Sequence, residues 1–409
     1  MADSLLARAA AARLDTLAAI FPVVVVTGAR QVGKSTLVQS HPALAPYLRV
    51  TLDDATTRAE AIAEPDIFAA RAGRMIIDEV QRAPDLLLAI KAAVDREAQR
   101  VPGHFVLTGS ANLLMMKQVA DSLAGRAVYL DLGPFTRSEL RGDAGTGRWT
   151  DLFEHAPAAW RDLLQDKPAQ PDDWRAAVSR GGIPVPALRL DSAERAQWFA
   201  SYISTYLERD LRNLSVVELL GDFRQTMKAL ALRAGNPVNQ SGIARDLGVE
   251  QRNISRWIAL LETGWLISRL PAYSVNRTSR LMKRPKLYWA DSALAMQIAG
   301  EAEPRGAHLE NYVLSDLLAW SALHAPRPGV FYWRTTDNTE VDFVIEHGNR
   351  LLAVEVKTTT RPTPSDWRHL KSFVAEYGDS CHGALLLHAG DETYQVADRV
   401  VLAPWWRVL

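Results

Sequence analysis

The feature that most constrains this chain is the run Gly28-Ala29-Arg30-Gln31-Val32-Gly33-Lys34-Ser35-Thr36, which follows the apolar stretch Val23 to Val26 and precedes the helical pattern through Leu37-Val38. Glycines spaced this way between a strand and a helix let backbone N–H groups wrap a polyphosphate. Lys34 adds a point charge at the outer phosphates, and Ser35 offers a hydroxyl to Mg²⁺. A strand, a tight turn and a helix in that order predict an α/β domain whose ligand is held at the end of the strand.

The first 140 residues repeat this alternation. Val23 to Val26, Leu48 to Leu52, Met75 to Ile77, Phe105 to Leu107 and Val128 to Leu132 are short apolar runs, mostly separated by helix-length segments, as in a parallel sheet covered by helices. Met75-Ile76-Ile77 ends in Asp78-Glu79. Asp78 is placed to hold Mg²⁺ through water, and Glu79 to polarise an attacking water, which points to hydrolysis rather than transfer to a small molecule. Phe105 to Leu107 ends in Thr108-Gly109-Ser110, where hydroxyls can sense a terminal phosphate or merely make a turn. Arg126, closing Ser122-Leu123-Ala124-Gly125-Arg126, is either a solvated surface residue or, in a ring, a cation reaching a neighbour's phosphate.

These motifs together resemble the AAA+ ATPases, and more closely a widespread prokaryotic family in which such an ATPase is fused to a carboxy-terminal domain. Gly181-Gly182-Ile183-Pro184 and Tyr206-Leu207-Glu208-Arg209-Asp210-Leu211 are similar to that family's signatures. The resemblance implies ATP and Mg²⁺ as cofactors, a homo-oligomeric ring or spiral with a hexamer favoured, and Pro184 packed on the adenine. The expected organisation is an AAA+ P-loop parallel-sheet domain (1–140), a linker and helical lid (141–235), a winged-helix module (236–300) and a restriction-endonuclease-like α/β domain (301–409).

Net charge is zero, with 47 Lys and Arg against 47 Asp and Glu. The balance is uneven: between 236 and 290 nine cations, Arg245, Arg252, Arg256, Arg269, Arg277, Arg280, Lys283, Arg284 and Lys286, face only Asp246, Glu250 and Glu262. Asn239 to Val249 and Arg252 to Leu261 have a helix–turn–helix cadence about Gly248, leaving Gln251, Arg252, Ser255 and Arg256 outward. The following β-prone segment makes a wing. Arg252, Arg256, Arg277, Arg280, Lys283 and Arg284 are the expected DNA contacts, against the alternative that the module is a protein-contact lid.

From about 306 the pattern reads helix, strand, strand, helix, strand. Glu340-Val341-Asp342 lies on one strand and Glu355-Val356-Lys357 on the next, so that a hairpin about His347-Gly348-Asn349 brings two acids and a lysine together. Asp342 and Glu355 are hard oxygen ligands suited to Mg²⁺ or Mn²⁺, Lys357 can orient a hydrolytic water, and Glu310 on the upstream helix is a further acid on the metal side. The set resembles the PD-(D/E)xK nuclease core, with Val341 where the proline usually stands.

Two readings follow: an ATP-driven machine that binds and remodels or cuts DNA, branched DNA included, or a nucleotide-gated regulatory or defence switch with a silent nuclease-like domain. The single cysteine, Cys381, excludes a disulfide framework. With no membrane-length apolar run, the expected location is cytoplasmic and no membrane partner is expected.

Overall fold

A computed structural model describes residues 5–96, 101–109, 123–165, 171–209, 220–276, 278, 280 and 283–409, with the side chains of 206–209 left aside. The chain forms two compact units: Met1–Phe135 with Gly142–Gly145 and Leu260–Leu266, and Thr136–Arg141 with Thr146–Ala259 and Ile267–Leu409. Among the described residues no helix is long and apolar enough to cross a membrane.

The first unit is built on five parallel strands: β1 (Val23–Thr27), β2 (Leu48–Thr51), β3 (Met75–Asp78), β4 (Phe105–Thr108) and β5 (Ala127–Asp131). All five arise where the apolar runs predict them. Their order in the sheet is β2-β3-β4-β1-β5, so β4 is inserted between the strand that precedes the glycine loop and the strand that ends in Asp78. Every residue of β1 is buried, as expected for a central strand covered on both faces. Each buried valine there contributes roughly 1.5–3 kcal/mol of burial. Parallel pairing puts the ends of β1, β3 and β4 along one edge, which is where ligands bind in such sheets.

The second unit opens with helices, among them Trp174–Arg180, Pro184–Arg189, Ser192–Arg209, Leu220–Leu232, Gln240–Leu247 and the part of Gln251–Thr263 up to Ala259. A two-stranded antiparallel sheet follows, β6 (Ile267–Leu270) with β7 (Lys286–Trp289). After the helices Ser292–Ala299 and Gly306–Ala322 come β8 (Gly329–Arg334), β9 (Glu340–His347), β10 (Arg350–Val356), β11 (Cys381–His388), β12 (Tyr394–Ala397) and β13 (Val400–Pro404), with the helix Arg368–Tyr377 between β10 and β11. They form one mixed sheet in the order β12-β13-β11-β10-β9-β8.

Alternation divides its two faces. Leu352 and Val354 join Trp149, Trp160, Leu309 and Trp320 in one core, while Leu351 and Ala353 join Trp333, Leu370 and Phe373 in the other. The strand β8 adds to the sequence expectation. It carries Trp333 and Arg334, and Trp333 packs edge-on against Phe373.

Candidate functional site

Two clusters of chemistry-bearing residues form, one in each unit. In the first, the chain leaves β1 through Gly28, whose φ is +144° and whose hypothetical Cβ would lie 2.1 Å from the Leu132 carbonyl oxygen. Only glycine fits. Gly33 has φ +94° and caps the helix Lys34–Ser40. Ala29 and Val32 are buried, Arg30 is half-buried, and Gln31 and Thr36 face solvent. A residue that sequence reasoning missed fixes the loop: the buried Arg8 guanidinium donates to the Val32 carbonyl at 2.8 Å and to the Gly133 carbonyl at 2.7 Å.

Lys34 is buried at the mouth of this turn and donates to the carbonyls of Gly28 (3.0 Å) and Ala29 (2.8 Å). Burial pulls its ammonium down to about 8, against the opposing pull of Glu79 and Asp78. The Ser35 hydroxyl donates to Asp78 Oδ1 at 2.9 Å, and Thr108 donates to the same oxygen. Glu79 has φ +55° and accepts from the Gln81 side chain. Thus Lys34, Ser35, Asp78, Glu79 and Thr108 converge at one edge of the sheet, as their positions at strand ends predict. Ser110, a residue of the expected site, lies outside the described residues.

The loop glycines, the buried ammonium and the adjacent Ser35–Asp78 pair fit a Mg²⁺-bound polyphosphate. Lys34 would meet the outer phosphates, and Ser35 and Asp78 would hold the ion.

One expected contributor is engaged elsewhere. Arg126 forms a bidentate pair with Asp95, with both N···O distances 2.7 Å, and also donates to the Ala124 carbonyl at 2.9 Å. Its fork is therefore closed on its own unit instead of being presented outward. Pro184 opens the helix Pro184–Arg189. The loop before it is organised by Asp291, whose Oδ2 accepts from Gly182 N at 2.6 Å and Ile183 N at 3.2 Å. The Gly-Gly-Ile-Pro signature thereby has a structural partner 109 positions away. Gly181 has φ +66°, and a Cβ there would lie 2.4 Å from Asp291 Oδ1.

The helical module carries the expected turn. Gly248 caps Gln240–Leu247 in the left-handed conformation, Ile254, Trp257 and Ile258 are buried, and Trp257 meets Phe223 edge-on. Arg252 and Arg256 are exposed, Arg252 paired with Glu250. Ser255, expected to face outward, donates to Gln240 at 2.6 Å.

The expected basic field is thinner than the sequence count because two of its cations turn inward. Arg280 forms a bidentate pair with Glu346 at 2.7 and 3.0 Å and stacks over Tyr273 and Phe331. It is thus removed from the expected DNA contacts by pairing and stacking. Lys286 is 1% exposed. Lys283 and Arg284 are exposed, and Arg277 lies outside the described residues.

The second cluster is carboxylate-rich. The β9–β10 register sets Phe343 opposite Val354, which brings Asp342 beside the end of β10, where Val356 N donates to its Oδ2 at 2.9 Å. Lys357 Nζ lies 2.6 Å from Glu355 Oε1, the same-face relation that period two predicts. Glu310, from the helix Gly306–Ala322, accepts from Tyr288 at 3.2 Å. Burial first, then repulsion from Asp342, pushes both Glu310 and Glu355 up to about 8.

Glu355 Oε2 is buried without a hydrogen-bond partner. A cation would satisfy it, so the donor set fits a hard divalent ion in chemistry. In arrangement, no group of three or more His, Cys, Asp or Glu among the described residues is set to hold a metal. What sequence reasoning did not place here is Lys286, whose Nζ is 2.5 Å from Glu340 and 3.8 Å from Asp342.

Comparison with known proteins agrees with this division. Residues 21–141 match a family described as an AAA domain, and residues 171–305 and 305–408 match two families described as domains of unknown function. With its strand order and glycine loop, the first unit is a P-loop domain of the AAA+ ATPase type. Uncharacterized proteins of Mycobacterium tuberculosis and Mycobacterium bovis are each 29% identical over 411 residues, covering 98% of this chain and 84% of theirs. Among solved structures, a Walker-type ATPase of Pyrococcus abyssi is similar at 16% identity and a TM-score of 0.43, covering 70% of this chain and 94% of its own. A RuvB protein of Thermotoga maritima is similar at 18% identity and a TM-score of 0.29, covering 64% and 86% respectively.

Proposed function

We propose that the protein hydrolyses ATP in its first unit and uses that cycle to act on DNA bound by its second. The observation that carries the first half is the convergence of Lys34, Ser35, Asp78, Glu79 and Thr108 at the ends of β1, β3 and β4. Lys34 exchanges the carbonyls of Gly28 and Ala29 for the outer phosphates. Glu79, released from Gln81, accepts a proton from the attacking water, while Thr108 and Ser35 orient Asp78. Mg²⁺, when bound, supplies neutralisation of the phosphate charge. A ring or spiral of identical subunits, hexameric in the favoured form, completes this reading. For Arg126 to serve a neighbouring subunit, its pair with Asp95 has to open.

The second half rests on the helix–turn–helix and the β6–β7 wing of a winged-helix-like module, with Arg252, Arg256, Lys283 and Arg284 exposed to meet phosphates. The terminal sheet bears Asp342, Glu355 and Lys357, residue types that a Mg²⁺-dependent nuclease uses, with Glu310 on the helix Gly306–Ala322. Asp342, Glu355 and Glu310 would hold the ion, and Lys357 would orient the water.

One observation favours a second reading, a nucleotide-gated switch with a silent terminal site: Lys286 already lies among the carboxylates. ATP turnover measured with and without duplex, single-stranded and branched DNA, alongside cleavage of the same DNAs in Mg²⁺, separates the two. The machine requires turnover stimulated by DNA. The silent switch requires no cleavage that depends on Asp342. Turnover indifferent to every DNA removes the proposed coupling.

A further inference from the structure

Arg8 stands 24 positions ahead of Val32, outside every motif of the nucleotide site, yet it is 8% exposed and its guanidinium is directed at backbone carbonyls beneath the glycine loop. One terminal nitrogen donates to the Val32 carbonyl at 2.8 Å, and the other donates to the Gly133 carbonyl at 2.7 Å, with the Pro134 carbonyl at 3.4 Å. The Phe135 ring lies against the guanidinium, 4.5 Å from its carbon to the ring centroid. The segment that receives this fork is itself locked to β1. Leu132 N donates to the Thr27 carbonyl at 2.8 Å, the Thr27 hydroxyl donates to Asp131 Oδ1 at 3.1 Å, and the Leu132 carbonyl oxygen occupies the space a Cβ at Gly28 would need. Arg8 therefore ties the far end of the glycine turn to the same segment that supports its near end.

The bond to Val32 has a directional consequence. A trans peptide is planar, so its C=O and N–H point opposite ways, and holding the Val32 carbonyl fixes the direction of the Gly33 N–H. The turn's own chain is permissive at this point. Gly33, at φ +94°, lacks the Cβ that would restrict rotation of that peptide, and Gln31, on the other side of Val32, is also at positive φ, +62°. Lys34 holds two other loop carbonyls, those of Gly28 and Ala29, but on the ATPase reading it leaves them for the outer phosphates. Resting on that reading, we propose that Arg8 is a positioning residue for the nucleotide: by holding the Val32 carbonyl it keeps the Gly33 N–H aimed at the phosphates, before ATP arrives and while Lys34 changes partners. The planar fork matters because Val32 and Gly133 are met by different nitrogens, which a single ammonium does not reproduce.

The test is steady-state ATP turnover by the full-length protein, compared for wild type, Arg8→Met and Arg8→Lys. An N–H aimed at the phosphates binds them in the ground state and the transition state alike, so its loss raises KM and leaves kcat nearly unchanged. Arg8→Met should raise KM roughly tenfold or more, the scale of one hydrogen bond to a charged group, with kcat within about twofold of wild type. A merely structural role gives the opposite split, because a misfolded fraction lowers kcat and leaves the KM of the remaining molecules as it was. Unchanged KM in a folded Arg8→Met protein, or kcat lost at wild-type KM, overturns the proposal.

Arg8→Lys keeps the charge but offers a point donor in place of the fork. It should raise KM several-fold, less than Arg8→Met does, and it carries the test where the Met variant does not fold; wild-type KM in a folded Arg8→Lys protein overturns the role of the fork. Equilibrium titration with a fluorescent ATP analogue should place the three proteins in the same order without any turnover. Wild type that binds no analogue removes the ATPase reading and the brace with it. Wild type that binds, with Arg8→Met binding equally well, removes the brace alone.

Discussion

Asp291 gives the sharpest test of how the Gly181-Gly182-Ile183-Pro184 loop is held. The carboxylate is fully enclosed and accepts three backbone N–H groups, from Gly182 at 2.6 Å and Ile183 at 3.2 Å on Oδ2 and from Leu294 at 3.0 Å on Oδ1. Burial pushes its carboxyl up against the opposing pull of those donors. In Asp291→Asn one oxygen becomes an NH₂, so at least one donor faces another donor. Leaving one buried N–H unsatisfied costs about 1–3 kcal/mol. Asp291→Ala strands all three, and even with partial relaxation it should cost about twice the Asn value or more.

Gly181→Ala should also destabilise, since its Cβ would lie 2.4 Å from Asp291 Oδ1 at φ +66°. In the double variant with Asp291→Ala that clash is gone and only the backbone strain remains, so the two losses should sum to more than the double variant shows. Urea unfolding followed by tryptophan fluorescence is the assay, because every tryptophan except Trp265 belongs to the second unit. If Asp291→Asn and Asp291→Ala both unfold within about 0.5 kcal/mol of wild type, the range of an ordinary surface change, the loop is not held this way.

Lys34→Ala should abolish binding of a fluorescent ATP analogue, whereas Glu79→Gln should bind it and lose turnover in a phosphate-release assay; normal turnover by the Gln variant rejects the role given to Glu79. Arg280→Ala should cost about 1.5–3 kcal/mol through its bidentate pair with Glu346 while leaving DNA affinity per folded molecule unchanged. Neutralising Arg252 and Arg256 should do the reverse, weakening DNA binding and flattening its salt dependence in a fluorescence-anisotropy titration.

The terminal cluster sets a pH dependence. Glu310 and Glu355 rise from 4.5 to about 8 on folding, so between those values the folded chain holds protons that the unfolded chain has released. Metal-free stability should therefore fall as pH rises through that window. The thermal midpoint should decline from pH 5 to pH 8 in wild type and decline less in Glu310→Gln; equal slopes would show that this glutamate does not report the cluster.

What the residues alone determined is what short range can encode. The glycine loop, the acids at the end of β3 and the hairpin carrying Asp342 and Glu355 are each local. Chirality, pleat and strand period place such neighbours without reference to the rest of the chain, so the five strands of the first unit and the Glu355–Lys357 relation were legible before any fold was known. The partners of charged side chains were not.

Arg126 and Arg280 read as outward cations because a linear pattern of basic residues looks the same whether solvent or a carboxylate faces it. Only the tertiary structure supplies Asp95 and Glu346. Likewise Gly182 finds Asp291, Val32 finds Arg8, and Lys286 leaves the basic count of its own segment to lie among acids brought from other elements. Burial makes the difference. An ion in water is nearly indifferent to its position in the chain, while an enclosed one must be matched by whatever opposite charge or hydrogen-bond donor folding delivers to it.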